Sequence, residues 1–316
     1  MSEFIIAGMR FQAGKRTTAN LEVADTIAGK IEIPMIAVAG KTSGPTLCVI
    51  AGSHPCEISS VEAAIRVTKL VKPEQLRGLL ISLPILNTPG LQSRTPYLCP
   101  LDGQNVNRVF PGNPEGTASQ RIAHKAFSVI KESNCVIDLH GGDTPEEHVD
   151  IVYAPDQGDS KALEVSKELT QRFQAEYAEI HGVAGSVCTE ACKVGVPALV
   201  VEGGELGRLD QHSIDWLVNG IVNVMKYLKM LPGESIIRKP EIIGERVWVR
   251  APCSGILIRE VKAGHRVTKG QTLGKINNFY GDEIRSIQSP TNGVIMMSFP
   301  VPAVNTGDTL WVICQT

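Results

Sequence analysis

The sequence predicts an α/β domain with a mixed, largely parallel sheet flanked by helices, followed by a small all-β domain. Three observations carry this reading. From about Ile31 onward, apolar runs alternate with amphipathic stretches. Three of those runs end in a polar residue suited to chemistry: Thr46–His54 (TLCVIAGSH), Cys135–His140 (CVIDLH) and Pro197–Glu202 (PALVVE). Beyond Leu231-Pro232-Gly233 the helical pattern stops, and glycines punctuate short alternating runs.

Each element follows from its local pattern. The first forty residues read as an antiparallel edge or arm. Short runs rich in Val, Ile and Leu read as strands buried on both faces, as in a parallel sheet. After the first run, ISSVEAAIRVTKLV (Ile58 to Val71) spaces its apolar residues as a helix does, and LRGLLISLPILN follows as a strand. ASQRIAHKAFSVIKESN is a second helix leading into CVIDLH. KALEVSKELTQRFQAEY is a third, and DWLVNGIVNVMKYLKML, after the Glu202 run, a fourth. Such alternation argues helices on both faces of a sheet. A chain of 316 residues exceeds the usual size of one domain, and the change of character divides it into 1–232 and 233–316.

The tail consists of two similar halves, APCSGILIREVKAGHRVTKGQTLGKI and SPTNGVIMMSFPVPAVNTGDTLWVI. Glycines at such intervals mark tight turns between short strands. The pattern resembles the biotinyl/lipoyl-type barrel-sandwich domain, whose carrier forms present a lysine in the hairpin between the halves. Here that hairpin, INNFYGDEIRS, has no lysine. A cap or dimerisation module is expected instead of a swinging arm.

Composition excludes several classes. With a net charge of −2 there is no case for a nucleic-acid partner or an anionic membrane surface. No apolar segment approaches the ~18–20 residues of a membrane helix, and MSEFIIAGMR lacks the features of a signal peptide. The eight cysteines are scattered and read as reduced thiols of a cytoplasmic protein.

The polar run ends are the candidate site. In an open α/β sheet, ligands bind outside the carboxyl ends of the strands. His54, Glu57 and His140 supply two imidazoles and a carboxylate, the donor types of a catalytic zinc that keeps one position for water. Glu57 lies three residues after His54, so both side chains can face one point. Gly141-Gly142 lets the backbone turn closely after His140, and Asp138 is a candidate supporting residue. Glu202, ending an apolar strand, is costly to bury without a role. Its pKa is expected to rise, as a general base acting on water requires. Glu205 is the competing candidate. In LDGQNVNRVFPG, Asn107-Arg108 suits the grip of a carboxylate. Arg94 is a second cation that can steady an oxyanion.

Taken together, GSHPCE, NVNRVFPG, DLH and VVEGG resemble the succinylglutamate desuccinylase/aspartoacylase family, a branch of the zinc carboxypeptidase-like hydrolases. The resemblance implies one zinc per chain on His54, Glu57 and His140, with Glu202 as general base and acid. It also implies Asn107 and Arg108 on the carboxylate of a small N-acyl amino acid, and Arg94 near the site. The β domain is expected to cover the site in part, with Tyr280 or Phe279 reaching in, and to offer a surface for homo-oligomers. Two departures stand out. Pro55-Cys56 replaces Gly-Asp or Gly-Asn of the first motif, and Asn105 replaces the Asp of DLNR. The GQNVNR form is similar to the N-acetyl-diaminobutyrate deacetylase-like subgroup. The competing readings are a metallocarboxypeptidase acting on short peptides and a non-catalytic binding protein.

Overall fold

A computed structural model describes residues 3–27 and 29–315. Its centre is a nine-stranded mixed sheet. Four neighbouring strands, Arg77–Leu83, Thr42–Ile50, Cys135–His140 and Ala198–Glu202, run parallel to one another. The hairpin Arg16–Thr26 and Gly29–Ala39 forms one antiparallel edge, as expected for the N-terminal arm. On the other side Ile151–Ala154 lies antiparallel to Ala198–Glu202, and Tyr177–Ile180 and Glu241–Ile242 follow it in parallel.

Alternation along the strands sorts side chains to two faces. Leu47 and Val49 join one apolar core with Val61 and Val67 of helix Ile58–Leu70 and Leu217 and Ile221 of helix Gln211–Tyr227. Cys48 and Ile50 join the other, with Ile122 and Ala126 of helix Ala118–Ile130 and with Val187. Helix starts are locally encoded. Thr117 and Gln120 form a reciprocal capping box, and Asp159 and Asp210 cap helices Ser160–Arg172 and Gln211–Tyr227.

Three expectations are corrected here. The first strand stops at Ile50, so His54 lies in the following turn and not at a strand end. Gly52 turns the chain there at φ +64, and a Cβ on it would come within 2.9 Å of the Ile85 backbone. The strand expected across Leu76–Asn87 covers only Arg77–Leu83. The third helix ends at Arg172, and Tyr177 begins a strand.

The C-terminal strands form two sheets. One contains Arg246–Arg250, Thr309–Cys314, Gly293–Ser298 and Arg266–Val267; the other contains Glu283–Gln288, Thr272–Asn277, Gly255–Arg259 and Ala303–Val304. Trp311, Leu273, Ile276 and Ile295 fill the core they share. The expected division after residue 232 is crossed in both directions. Glu241–Ile242 completes the edge of the nine-stranded sheet, while Glu147–His148 pairs with Gly293–Ser298 of the tail.

Candidate active site

His140 is the last residue of its strand, and Glu202 is its register partner on the next parallel strand, so both project from the same face. Asp138, two residues before His140, shares that face. Glu57 stands at the N-cap of helix Ile58–Leu70 but makes no capping hydrogen bond with its side chain. Its carboxylate instead bridges two rings: Oε1 lies 2.6 Å from His54 Nδ1 and Oε2 lies 2.9 Å from His140 Nδ1. All three residues are buried, and one ligand atom from each fits within 4.8 Å of the others.

The outer ring nitrogens reveal the tautomers. The Asn107 backbone N–H donates to Asn105 Oδ1 at 2.8 Å, which identifies that atom as the amide oxygen. His54 Nε2, 3.2 Å from the same oxygen, must then donate to it. His140 Nε2 donates to Asp138 Oδ2 at 2.9 Å. With the Nε2 protons so placed, both Nδ1 atoms face the Glu57 carboxylate; each would donate to it as imidazolium, or turn its lone pair to a bound metal as the neutral ring. This donor set fits a divalent transition metal.

Electrostatics follow the same arrangement. Burial opposes charge on His140, but the Asp138 and Glu57 carboxylates overcome it and hold its pKa well above the usual imidazole value. Burial likewise opposes charge on Glu57, yet the His54 and His140 rings bring it down to about 2. Glu202 has the opposite balance. Burial raises it, His140 only partly offsets this, and its pKa reaches about 8. No ion pair to Glu202 occurs among the described residues.

Around this centre lies a cavity of about 530 Å³. Tyr97 stacks on the His54 ring with centroids 4.1 Å apart. Arg108 is exposed at the cavity, its Nη1 donating to the Asn107 carbonyl at 2.7 Å, with the rest of the guanidinium available. The tail contributes Arg246, Trp248 and Met297 to the wall. Arg246 is ion-paired with Glu179 and stacked over the Tyr153 ring at 5.5 Å.

The structure brings together His54, Glu57, His140, Glu202 and Arg108, and it redraws other expectations. Asn107 is buried, and its amide is fully engaged: Oδ1 accepts from Val187 N at 2.8 Å, and Nδ2 donates to Asp138 Oδ2 at 3.0 Å. It lines the cavity and also lies against His140, its Nδ2 2.9 Å from Nε2 of that ring. Arg94 ends the short helix Thr88–Ser93 in the left-handed region, φ +56, and lies exposed outside the cavity lining. Glu205 pairs with Arg208 at 2.7 Å. Cys56 donates its thiol hydrogen to Asp143 and stays out of the ligand set. Phe279 and Tyr280 sit 88% and 92% exposed beside the Thr272–Gln288 hairpin turn and do not line the cavity. Gly141-Gly142 serves close backbone packing, a Cβ on Gly141 meeting the Gly203 oxygen at 2.5 Å. Sequence reasoning missed Asn105, Tyr97, Arg246 and Trp248. The i, i+2 spacing of Arg246 and Trp248 in RVWVR was a signal that the two share a face.

Residues 43–228 match the succinylglutamate desuccinylase/aspartoacylase catalytic domain family. The chain belongs to this family. All five converging residues lie inside the matched span. Among curated proteins, the N-alpha-acetyl-L-2,4-diaminobutyric acid deacetylase of Halomonas elongata is 26% identical over 301 residues, covering 91% of this chain and 86% of that protein. The product-bound ectoine utilization protein EutE of Ruegeria pomeroyi superposes with a TM-score of 0.87 at 21% identity, over 100% of this chain and 98% of that one. A succinylglutamate desuccinylase/aspartoacylase from Rhodobacter sphaeroides gives 0.84 at 24% identity, over 96% and 97%. These likenesses extend through the C-terminal strands and establish the fold. No described helix is long and apolar enough to cross a membrane.

Proposed function

We propose that this protein is a zinc-dependent deacylase that hydrolyses the amide bond of a small N-acyl amino acid. The observation that carries the reading is the convergence of His54 Nδ1, His140 Nδ1 and the Glu57 carboxylate beside Glu202, a carboxyl group with a raised pKa. His54, Glu57 and His140 would hold one zinc, which would supply Lewis acidity at the acyl carbonyl and lower the pKa of water toward neutrality. Glu202 takes the proton from the attacking water and returns it to the leaving amine. Its raised pKa suits both halves of that transfer. Arg108 holds the substrate's α-carboxylate with its free guanidinium edge and fixes the scissile bond against Glu202. Buried Asp138 and Asn107 keep His140 in its ligating tautomer.

The Halomonas relative's name makes N-α-acetyl-diaminobutyrate the first substrate to try. The cavity wall formed by Trp248 and Met297 favours compact substrates over long peptides. All eight cysteines are unpaired, which supports the cytoplasm as its compartment.

The test combines metal analysis with amine release from N-acetyl-diaminobutyrate, N-acetylaspartate, N-succinylglutamate and short peptides. About one zinc per chain with turnover of an N-acyl amino acid is expected. Glu202→Gln should retain the metal and lose ~10²–10⁴ in kcat. Zinc with turnover of peptides alone would favour the carboxypeptidase reading, and a protein that cannot be loaded with metal would end both.

A further inference from the structure

We propose that Arg259, in the C-terminal strands, is a positioning residue for the substrate cavity through its clamp on Glu147. The proposal rests on the deacylase reading for its kinetic consequence, but the clamp itself is a matter of geometry. Residues 141–150 leave the end of the His140 strand and carry cavity-lining Gly141, Asp143, Glu146 and His148. This segment is tied to the loop after Glu202 at its start, where Gly142 N donates to Gly204 O at 2.7 Å, and again just before Glu147, where Leu206 N donates to Glu146 O at 2.9 Å. Between Glu146 and Ile151, where the chain re-enters the catalytic sheet, it joins another. Glu147 and His148 pair antiparallel with Ser298 and Met297, and Val149 N donates to Met296 O at 3.1 Å.

Two residues of strand pairing are a weak attachment by themselves. The side chains supply the remainder. Arg259 reaches across from strand Gly255–Arg259 of the opposite sheet and grips Glu147 bidentately, Nη1 to Oε2 at 2.7 Å and Nη2 to Oε1 at 3.1 Å. Its Nη1 also donates to Ser298 Oγ at 2.7 Å, on the residue paired with Glu147. Both charged groups are largely buried, with side-chain exposures of 24% and 15%. A planar fork on a carboxylate fixes direction as well as distance, and removing one member leaves the other charge unpaired. The clamp is therefore specific to the segment that forms the wall. It is not a general adhesive between the two units.

The kinetic consequence can be localised. His54, Glu57 and His140 are not on the clamped segment, and Glu202 is held by strand pairing to both His140 and Ile151. Loosening residues 143–148 should damage substrate binding while sparing the metal and the proton-transfer step. Arg259→Met should raise KM by about tenfold with kcat changed less than about threefold and zinc content unchanged. Arg259→Lys, which keeps the charge but loses the fork, should fall between.

The experiment is hydrogen–deuterium exchange on zinc-loaded parent, Arg259→Met, Arg259→Lys and Glu147→Gln proteins, alongside kinetics on the N-acyl substrate. Faster exchange confined to peptides covering 143–150, graded in the order Met, Lys, parent, with zinc retained, is the expected result. Unchanged exchange in that segment would overturn the proposal. So would exchange raised throughout the C-terminal sheets with a matching fall in Tm, since Arg259 would then serve only general stability. Because exchange and zinc content need no substrate, failure of the clamp is distinguishable from failure of the deacylase reading.

Discussion

The two histidines of the candidate site are steadied by partners of different charge: a carboxylate, Asp138, behind His140, and a neutral amide, Asn105, behind His54. The carboxylate makes its imidazole the more basic ligand. Asp138→Asn should thus weaken zinc binding by about 10–100-fold while leaving the strand intact, measured by competition against a chelator. Equal affinity in the variant would show that orientation alone matters there. Glu146 tests the cavity's electrostatics. Burial raises its pKa from 4.5 to about 7, with the Asp143 and Glu57 charges adding to the effect. Between those values the folded protein keeps a proton that the unfolded chain has released, so this residue's contribution to stability declines as pH rises through the window. Glu146→Gln does not titrate. In chelator-treated protein its Tm relative to the parent should climb from pH 4.5 to about 7 and then level off; parallel curves would refute the assignment. The sequence offered Asp138 beside His140 without its direction, which the strand supplies, since i and i+2 share a face. It hid the contacts of Asn105 with His54 and of Asn107 with Asp138, since the short turn Val106–Arg108 has no periodicity from which to read direction.

At the level of elements, the close approach of two strand ends matters most. Gly141 lies against the Gly203 backbone just where the His140 and Glu202 strands finish, and neither side is a flexible side chain that could give way. Gly141→Ala should therefore cost about 1–3 kcal/mol through overpacking, seen as a lower denaturation midpoint, and should lower kcat by separating Glu202 from the ligands. Elements whose patterns are complete within themselves were legible. Cys135–His140 begins and ends where its apolar run does; the last long helix, expected over 215–231, lies four residues earlier at Gln211–Tyr227, starting from its Asp210 cap. Thr46–His54 was misleading for a physical reason. Ala51 is buried although it is past the strand, so hydrophobicity there reports burial and not pairing. The two-residue strand Glu147–His148 was invisible, because its partners lie about 150 positions away and decide its existence.

The whole molecule makes its cavity from both parts of the chain. A volume of about 530 Å³ lies in the range of small-molecule sites. N-acetyl amino acids should be hydrolysed at least about tenfold more efficiently than N-acetyl tripeptides, by kcat/KM. Trp248→Ala should narrow that gap by opening the wall. A tripeptide cleaved as well as the amino acid would show that the β unit does not limit access. That a β unit exists was plain from the spacing of its glycines. Which of its aromatics faces the site was not: the hairpin's Phe279 and Tyr280 project outward, while Trp248 reaches the cavity from a strand near the junction.

The crossing of Glu147–His148 into the tail has a consequence for biosynthesis. A nascent chain that has emerged as far as Tyr227 contains His54, Glu57, His140 and Glu202 and the helices that pack around them. Domains tend to fold as units during synthesis, the N-terminal part first. The strand that receives Glu147 and His148 is not made until Ser298. On the ribosome, then, the candidate metal ligands precede the completed cavity wall. The growing polypeptide passes through a stage in which these four residues are made while Glu147 and His148 still lack their partner strand.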